Sequence, residues 1–423
     1  LKGRPHFAVL FAVFLATGLV CFAYLSRTVY RRAGEQLSKN PVTETSHAVI
    51  ANWMRRGYLA SHGLLVPVEG ENRVYRWSSG GYFVTAFVAE KLWVAATGRT
   101  SWRVVALHNV FVALVTAALL GVLAFRFARA IGIEPLHALA LGVAAQMVQF
   151  TFPDNLALYW IIRSQAWWLL FAIAFLLFEE RALAAGRTRR LDVGQALIVF
   201  AMVYVEFIYA TAFLGAYAAA VLLLMRGERP PLHRLAAMLF LPWLAALSIY
   251  QVQVRTAAAD PTVQLFGSSF LYRTGLDGDA ALYGDHLGIA LGRDRFRKYF
   301  PGQNQYLWSW PTLFFAGTAA LLLALGAHVR RRLPPGIATA LLALTGSYVL
   351  YAAVFSQAVA VHPYLYDVLL ATPLILALFA VAPAWAEEWT ARSGVFVFIV
   401  CVAAAWTAMF QLRIYALCNP PPP

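Results

Sequence analysis

The sequence is short of charge. Of its 423 residues, 13% are Asp, Glu, Lys or Arg and 61% are hydrophobic. A soluble domain of this length carries about twice that charged fraction. The shortage excludes a separable soluble domain. Cysteine is scarce as well, with three residues in all. Cys21 and Cys401 sit inside apolar runs and Cys418 lies near the end. That placement gives neither a disulfide framework nor metal-ligand spacing. Carboxylates are fewer than basic residues, 20 against 34, for a net charge of +14. No short-period repeat is present.

Apolar runs are what the chain has in plenty. Stretches of roughly 18 to 24 residues recur along it, and a spanning helix needs about 20. The chain carries 13 Trp, 19 Tyr and 29 Phe. Many stand at run ends, where amphipathic rings favour the membrane interface. The first run, about His6 to Tyr24, is too long for a typical signal-peptide core. Val20 before Cys21 is not the small residue a lipoprotein cleavage site needs, so this run reads as a retained first helix. Spanning helices are expected at about 7–29, 102–126, 136–152, 163–181, 192–207, 209–225, 232–253, 307–328, 336–356, 365–384 and 393–414. The fold class is an all-α integral membrane protein of about eleven transmembrane helices, residues 1–423 forming one polytopic domain.

Charge sets the expected orientation. With the N-terminus inside, the inner loops hold Lys2, Arg4, Arg126, Arg129, Arg181, Arg187, Arg189, Arg190, Arg226, Arg229, Arg234, Arg330, Arg331, Arg332 and Arg392. The short outer loops hold almost none beyond Arg163. This is positive-inside patterning, not a nucleic-acid signal. It also favours a break at Glu206. One continuous helix over 192–225 would move Arg226 and Arg229 to the side of Asp154.

Two long segments are expected outside, about 30–101 and 254–306. The first holds two helices expected to lie on the surface. One covers about Glu44 to Tyr58, with Glu44, His47, Ala51 and Arg55 on one face and Ile50, Trp53, Met54 and Gly57 on another. The other covers about Gly81 to Thr97. Its Glu90–Lys91 pair makes it a poor span and a better interfacial helix.

The segment Pro41-Val-Thr-Glu-Thr-Ser-His-Ala-Val-Ile-Ala-Asn-Trp-Met-Arg-Arg-Gly-Tyr58 begins about a dozen residues after the first helix. Val74-Tyr75-Arg76-Trp77-Ser78-Ser79-Gly80-Gly81-Tyr82 follows, and the second surface helix ends in Thr97-Gly98. This order resembles the first outer loop of the GT-C glycosyltransferases, closest to lipid A aminoarabinose transferases and protein O-mannosyltransferases. One helix, a large outer loop, a string of helices with tight turns and a second outer loop is also that superfamily's layout. Where those families have an Asp-Glu pair, this chain has Thr43-Glu44. Where they have Pro-Pro, it has Ser78-Ser79.

The resemblance implies transfer of a sugar from a polyprenyl-phosphate donor to a lipid, glycan or protein acceptor. Such chemistry needs a base for the acceptor's proton and cations for the departing phosphate. Glu44 is the candidate base. A carboxylate at a helix start is also favoured by the dipole alone. His47, one turn on, is placed to orient Glu44 or touch phosphate. Arg55, Arg56, Arg73 and Arg76 are candidate phosphate ligands, Arg being suited by its fork of donors. Contact with anionic headgroups is their other reading.

The resemblance also implies a cavity-facing carboxylate near Asp154, with Arg163 beside it. The two are equally a capping ion pair. It further implies a polar aromatic turn near the donor, here His362, Tyr366 and Asp367, which also read as a Pro-bearing turn with interfacial tyrosines. Glu206, at membrane depth, is a functional candidate or a water-reaching helix end. Asp277, Asp279, Asp285 and His286 lack a full calcium-loop pattern and read as turn chemistry. Arg293, Arg295, Arg297 and Lys298 form a basic cluster beside them.

The implied setting is the bacterial inner membrane, multi-pass, with the N-terminus cytoplasmic. No resident cofactor is expected. The sugar-bearing lipid phosphate enters as substrate, and a divalent metal stays open. Partners are membrane lipids, not nucleic acid. Two other functions fit the same composition: a lipid or glycan transporter, and a non-catalytic subunit of a larger membrane complex.

Overall fold

The computed structural model describes residues 6–25, 41–65, 75–151, 164–225, 230–257 and 333–354. Ten helices fall within them: α1 Phe7–Leu25, α2 Pro41–Arg56, α3 Gly81–Thr97, α4 Trp102–Ala130 and α5 Pro135–Thr151. Then come α6 Ser164–Ala185, α7 Arg189–Val205, α8 Phe207–Leu224, α9 Leu232–Ala257 and α10 Pro335–Val354. Among the described residues three helices are long and apolar enough to cross a membrane, α4 (from Arg103), α8 and α9. The spans expected at about 307–328, 365–384 and 393–414 lie outside the described residues, as does the second outer segment from residue 258 on.

The two helices expected on the surface have bounds close to those expected, as α2 and α3. A short antiparallel pairing between them, β1 Leu64–Leu65 with β2 Tyr75–Ser79, departs from a purely helical reading. Glu90, whose pair with Lys91 argues from the sequence for an interfacial helix, packs inward. It is 3% exposed, and its Oε1 accepts from the Ser101 amide at 2.7 Å. The carboxylate fastens the turn from α3 to α4 rather than facing water. Gly98 closes α3 in the left-handed conformation.

Helix direction can be read from the contacts at each end. At one end, Phe7 lies under the Arg126 guanidinium, and Arg126 pairs with Glu180 at 2.5 Å. Arg187 pairs there with Glu179 at 2.5 Å and Asp192 at 3.4 Å, and Asp192 also holds Arg234. At the other end Tyr58 meets Tyr204, Phe207 stacks on Tyr250, and Tyr209 stacks on Tyr351. The arginine end thus gathers the start of α1, the end of α4, the end of α6 and the starts of α7 and α9. The tyrosine end gathers the end of α7, the start of α8 and the ends of α9 and α10.

The break at Glu206 is present. Helix α7 ends at Val205, α8 begins at Phe207, and Glu206 between them has φ −152° and ψ 86°. Trp168 meets Tyr209 and Phe213, and Phe175 meets Phe213 and Tyr217. Helix α8 therefore runs alongside α6, away from the end that α7 has just reached. The chain reverses within one residue.

Small residues allow close helix approach elsewhere. Phe14 of α1 is fully buried against Gly121 of α4 and Gly142 of α5. A Cβ at Gly121 would stand 2.6 Å from that ring. Gln146 ties the same three-helix contact by donating to the Phe14 carbonyl at 2.7 Å.

Candidate functional site

Helix α2 opens on Pro41, a residue suited to the first helical position because its missing N–H is not needed there. Glu44 is the fourth residue of the helix. The expected apolar face is real: Val49, Ile50 and Trp53 are buried, in a cluster with Phe83, Ala86 and Phe87 of α3 and Val105 of α4. Trp53 is its centre. Its indole N–H donates to the Leu64 carbonyl at 2.9 Å, and its ring meets Tyr58 at 4.9 Å and Phe87 at 5.7 Å, both edge-on. Such contacts fix a ring's orientation as well as burying its area. Asn52, buried on the same helix, accepts from Arg55 Nη2 at 2.8 Å.

The segment after α2 is seated on the tyrosine end. Tyr58 and Tyr204 share a hydrogen bond of 3.0 Å between their hydroxyls, and Gln253 of α9 donates to the Tyr204 hydroxyl at 2.8 Å. Burial pushes the Tyr58 phenol well above its usual range, and the Tyr204 contact adds to the rise. Tyr58 therefore stays protonated, and it forms a hydrogen-bonded clasp with Tyr204 and Gln253. Gly63 lies against it with φ +66°, and a Cβ there would stand 2.6 Å from both Tyr58 Oη and Gln253 Nε2. Gly81, at the start of α3, lies against Tyr204, with a Cβ position 2.9 Å from its carbonyl oxygen. Glu206, two residues on, is 7% exposed. Tyr58, Gly63 and Gly81 thus pack against the end of α7, beside the α7–α8 reversal.

Of the residues expected to act, His47 is half-buried on α2, and desolvation lowers its pKa below the usual 6.5. It favours a neutral ring. Arg55 and Arg56 are exposed in the last turn of α2. Eleven residues of helix separate Glu44 from Arg55, about 16 Å along the axis at 1.5 Å per residue. Helix α2 thus places His47 three residues after Glu44 and sets the two arginines at its other end. The backbone of Arg76 lies in β2. Arg73, Asp154, Arg163, His362, Tyr366 and Asp367 lie outside the described residues, as do Asp277, Asp279, Asp285, His286 and the Arg293–Lys298 cluster. Among the described residues no three His, Cys, Asp or Glu side chains are grouped as a metal site requires.

The arginine end carries a second polar cluster. Glu179 is 3% exposed and receives both Arg187 Nη2, at 2.5 Å, and Gln195 Nε2, at 2.8 Å. Burial opposes the Arg187 charge, but Glu179 and Tyr217 outweigh it and the pKa is raised. The charges are matched and internal, which makes this a structural clamp of α6, α7 and α9.

Sequence reasoning missed the Tyr58–Tyr204–Gln253 clasp. Its members lie 146 and 49 positions apart, and none bears a charge. The one available signal was Glu206, two residues after Tyr204, where the charge rule required a turn. No protein-family model, no curated protein and no solved structure matches the chain.

Proposed function

We propose that the chain is a membrane glycosyltransferase of the GT-C type. It moves a sugar from a polyprenyl-phosphate donor to a lipid, glycan or protein acceptor on the periplasmic face of the bacterial inner membrane. The reading takes about eleven spans, the N-terminus in the cytoplasm and the tyrosine end facing out. The observation that supports it most is the seating of α2. Trp53 and the Tyr58 clasp hold this helix, with Glu44 in its second turn, against the end of the bundle that the charge rule places outside.

A donor tethered in the bilayer reaches that level only from the side, between the first outer segment and the helices. Glu44 takes the acceptor's proton, and His47, neutral and one turn away, orients it. Basic side chains of the outer segments hold the phosphate as its charge grows. Thr43 stands where the resembled families have Asp, so on this reading Glu44 acts alone as base.

The test is transfer of labelled sugar from a panel of polyprenyl-phosphate sugars, using the purified full chain in lipid. A Glu44→Gln variant is expected to lose on the order of 10²–10⁴ in turnover, the usual contribution of a positioned base. Full activity in that variant removes Glu44 from the role. Lipid-phosphate binding and movement across vesicles, with no transfer from any donor, turns the reading to a transporter.

A further inference from the structure

We infer that the turn joining α3 to α4 is a binding site for the headgroup of an anionic phospholipid. The occupant is a lipid of the surrounding bilayer, held apart from any reacting substrate. The inference rests on α4 crossing the membrane and does not depend on the transferase reading.

Three observations carry it. First, α4 presents a stripe of Arg103, Leu107 and Phe111, spaced i, i+4 and i+8 on one helix face. Leu107 is 67% exposed and Phe111 64%, although the helix is long and apolar enough to cross a membrane. Bare apolar side chains on such a helix fit acyl chains. Arg103, exposed, sits at the end of the stripe where α4 begins.

Second, the last turns of α3 stand clear of the body. Leu92 is 67% exposed and Trp93 43%, and Arg99 is exposed just past Gly98. An exposed Trp and Leu beside a basic residue is the make-up of a segment at headgroup depth. Lys91 lies on this part too, its ammonium 5.6 Å from the Phe87 ring centre.

Third, the local charge among the described residues is one-sided. Arg99 and Arg103 flank the turn, one on each limb, and no described ion pair involves either. Glu90 of α3, which fastens the turn, is buried with Oε1 on the Ser101 amide, so it does not face the headgroup. Two exposed cations above an exposed apolar stripe match a phosphate above acyl chains. A free phosphate would use the cations alone and leave Leu107, Phe111 and Leu92 without a role.

The test uses the purified full chain in detergent, titrated with phosphatidylglycerol or phosphatidylcholine and read by native mass spectrometry for retained lipid. The wild type is expected to retain phosphatidylglycerol in preference. Each basic residue near an anionic surface contributes about fivefold. An Arg99→Gln/Arg103→Gln variant should therefore lose on the order of twentyfold in that preference. An Arg99→Lys/Arg103→Lys variant should keep most of it, which separates loss of charge from loss of folding. Equal retention of both lipids by the wild type overturns the proposal. So does unchanged retention in the Gln variant, or displacement of the lipid by millimolar inorganic phosphate.

Discussion

At the scale of single residues, the clasp on the tyrosine end makes two contrasts measurable. Gly57 and Gly63 both have positive φ, +88° and +66°. A Cβ at Gly57 meets nothing within 4 Å, whereas one at Gly63 runs into Tyr58 and Gln253. Gly57→Ala should therefore cost only the left-handed penalty, about 1–2 kcal/mol. Gly63→Ala should add overpacking of about 1–3 kcal/mol to it. Thermal unfolding of the detergent-solubilised protein reads the difference, and equal midpoints refute the crowding. Tyr58→Phe removes one hydrogen bond, for about 1 kcal/mol. Tyr204→Phe removes the hydrogen bonds to both Tyr58 and Gln253 and should cost more. His47 supplies a pH dependence. Its folded pKa lies below 6.5, so the unfolded chain binds its proton more readily. The related stability is complete above 6.5 and declines as pH falls toward the folded value. A His47→Gln variant should flatten that part of the profile of unfolding midpoint against pH. These residues differ in how legible they were. The face of Ile50, Trp53 and Met54 followed from spacing alone. The partner of Glu90 was not legible, because only the fold carries the Ser101 amide to it.

At the scale of elements, the clamp of α6, α7 and α9 turns on one buried charge pair. Side chains of Glu179 and Arg187 are 4% and 12% exposed. Removing one partner of such a pair typically costs about 3–5 kcal/mol, because the other charge is left buried. Glu179→Gln should show a loss of that size. Adding Arg187→Gln to it should recover part of the loss, and a double-mutant cycle gives the coupling directly. Additive losses would mean that the two charges do not interact. Element positions were largely readable: α1, α2, α3 and the helices from α4 to α10 fall within a few residues of the runs that announce them. The pairing of β1 with β2 was not, since Leu64–Leu65 is too short to leave a period. The partners of Arg126, Arg187 and Arg234 were not readable either. The charge rule says on which side an arginine lies, and it is silent on which carboxylate meets it.

At the scale of the whole molecule, the two ends of the bundle differ in kind. One is fastened by ion pairs and the other by phenols and an amide. The expected orientation puts the phenols outside, and single cysteines test it. In a chain whose three native cysteines are replaced, Thr97→Cys should react with a membrane-impermeant maleimide on intact spheroplasts. Leu136→Cys, 74% exposed in the native residue and near the opposite end, should react only after the membrane is opened. The reverse pattern would invert the topology and move Glu44 to the cytoplasmic side. The alternation of helix direction was legible because loop arginines recur on every second turn. What the bundle end could do chemically was less so, because the residues that seat α2 are uncharged and scattered through the chain.

The reversal at Glu206 bears on how the protein is made. Helices α7 and α8 have 17 and 18 residues, about 26 and 27 Å at 1.5 Å per residue. A single residue joins them, so there is no slack to let one settle before the other begins. A nascent chain that has admitted α7 alone would have to hold the first amides of α8 at the far interface. If both span, the two are expected to enter the bilayer as one hairpin. Lengthening their junction by a few flexible residues would change the order of insertion before it changed anything in the finished structure.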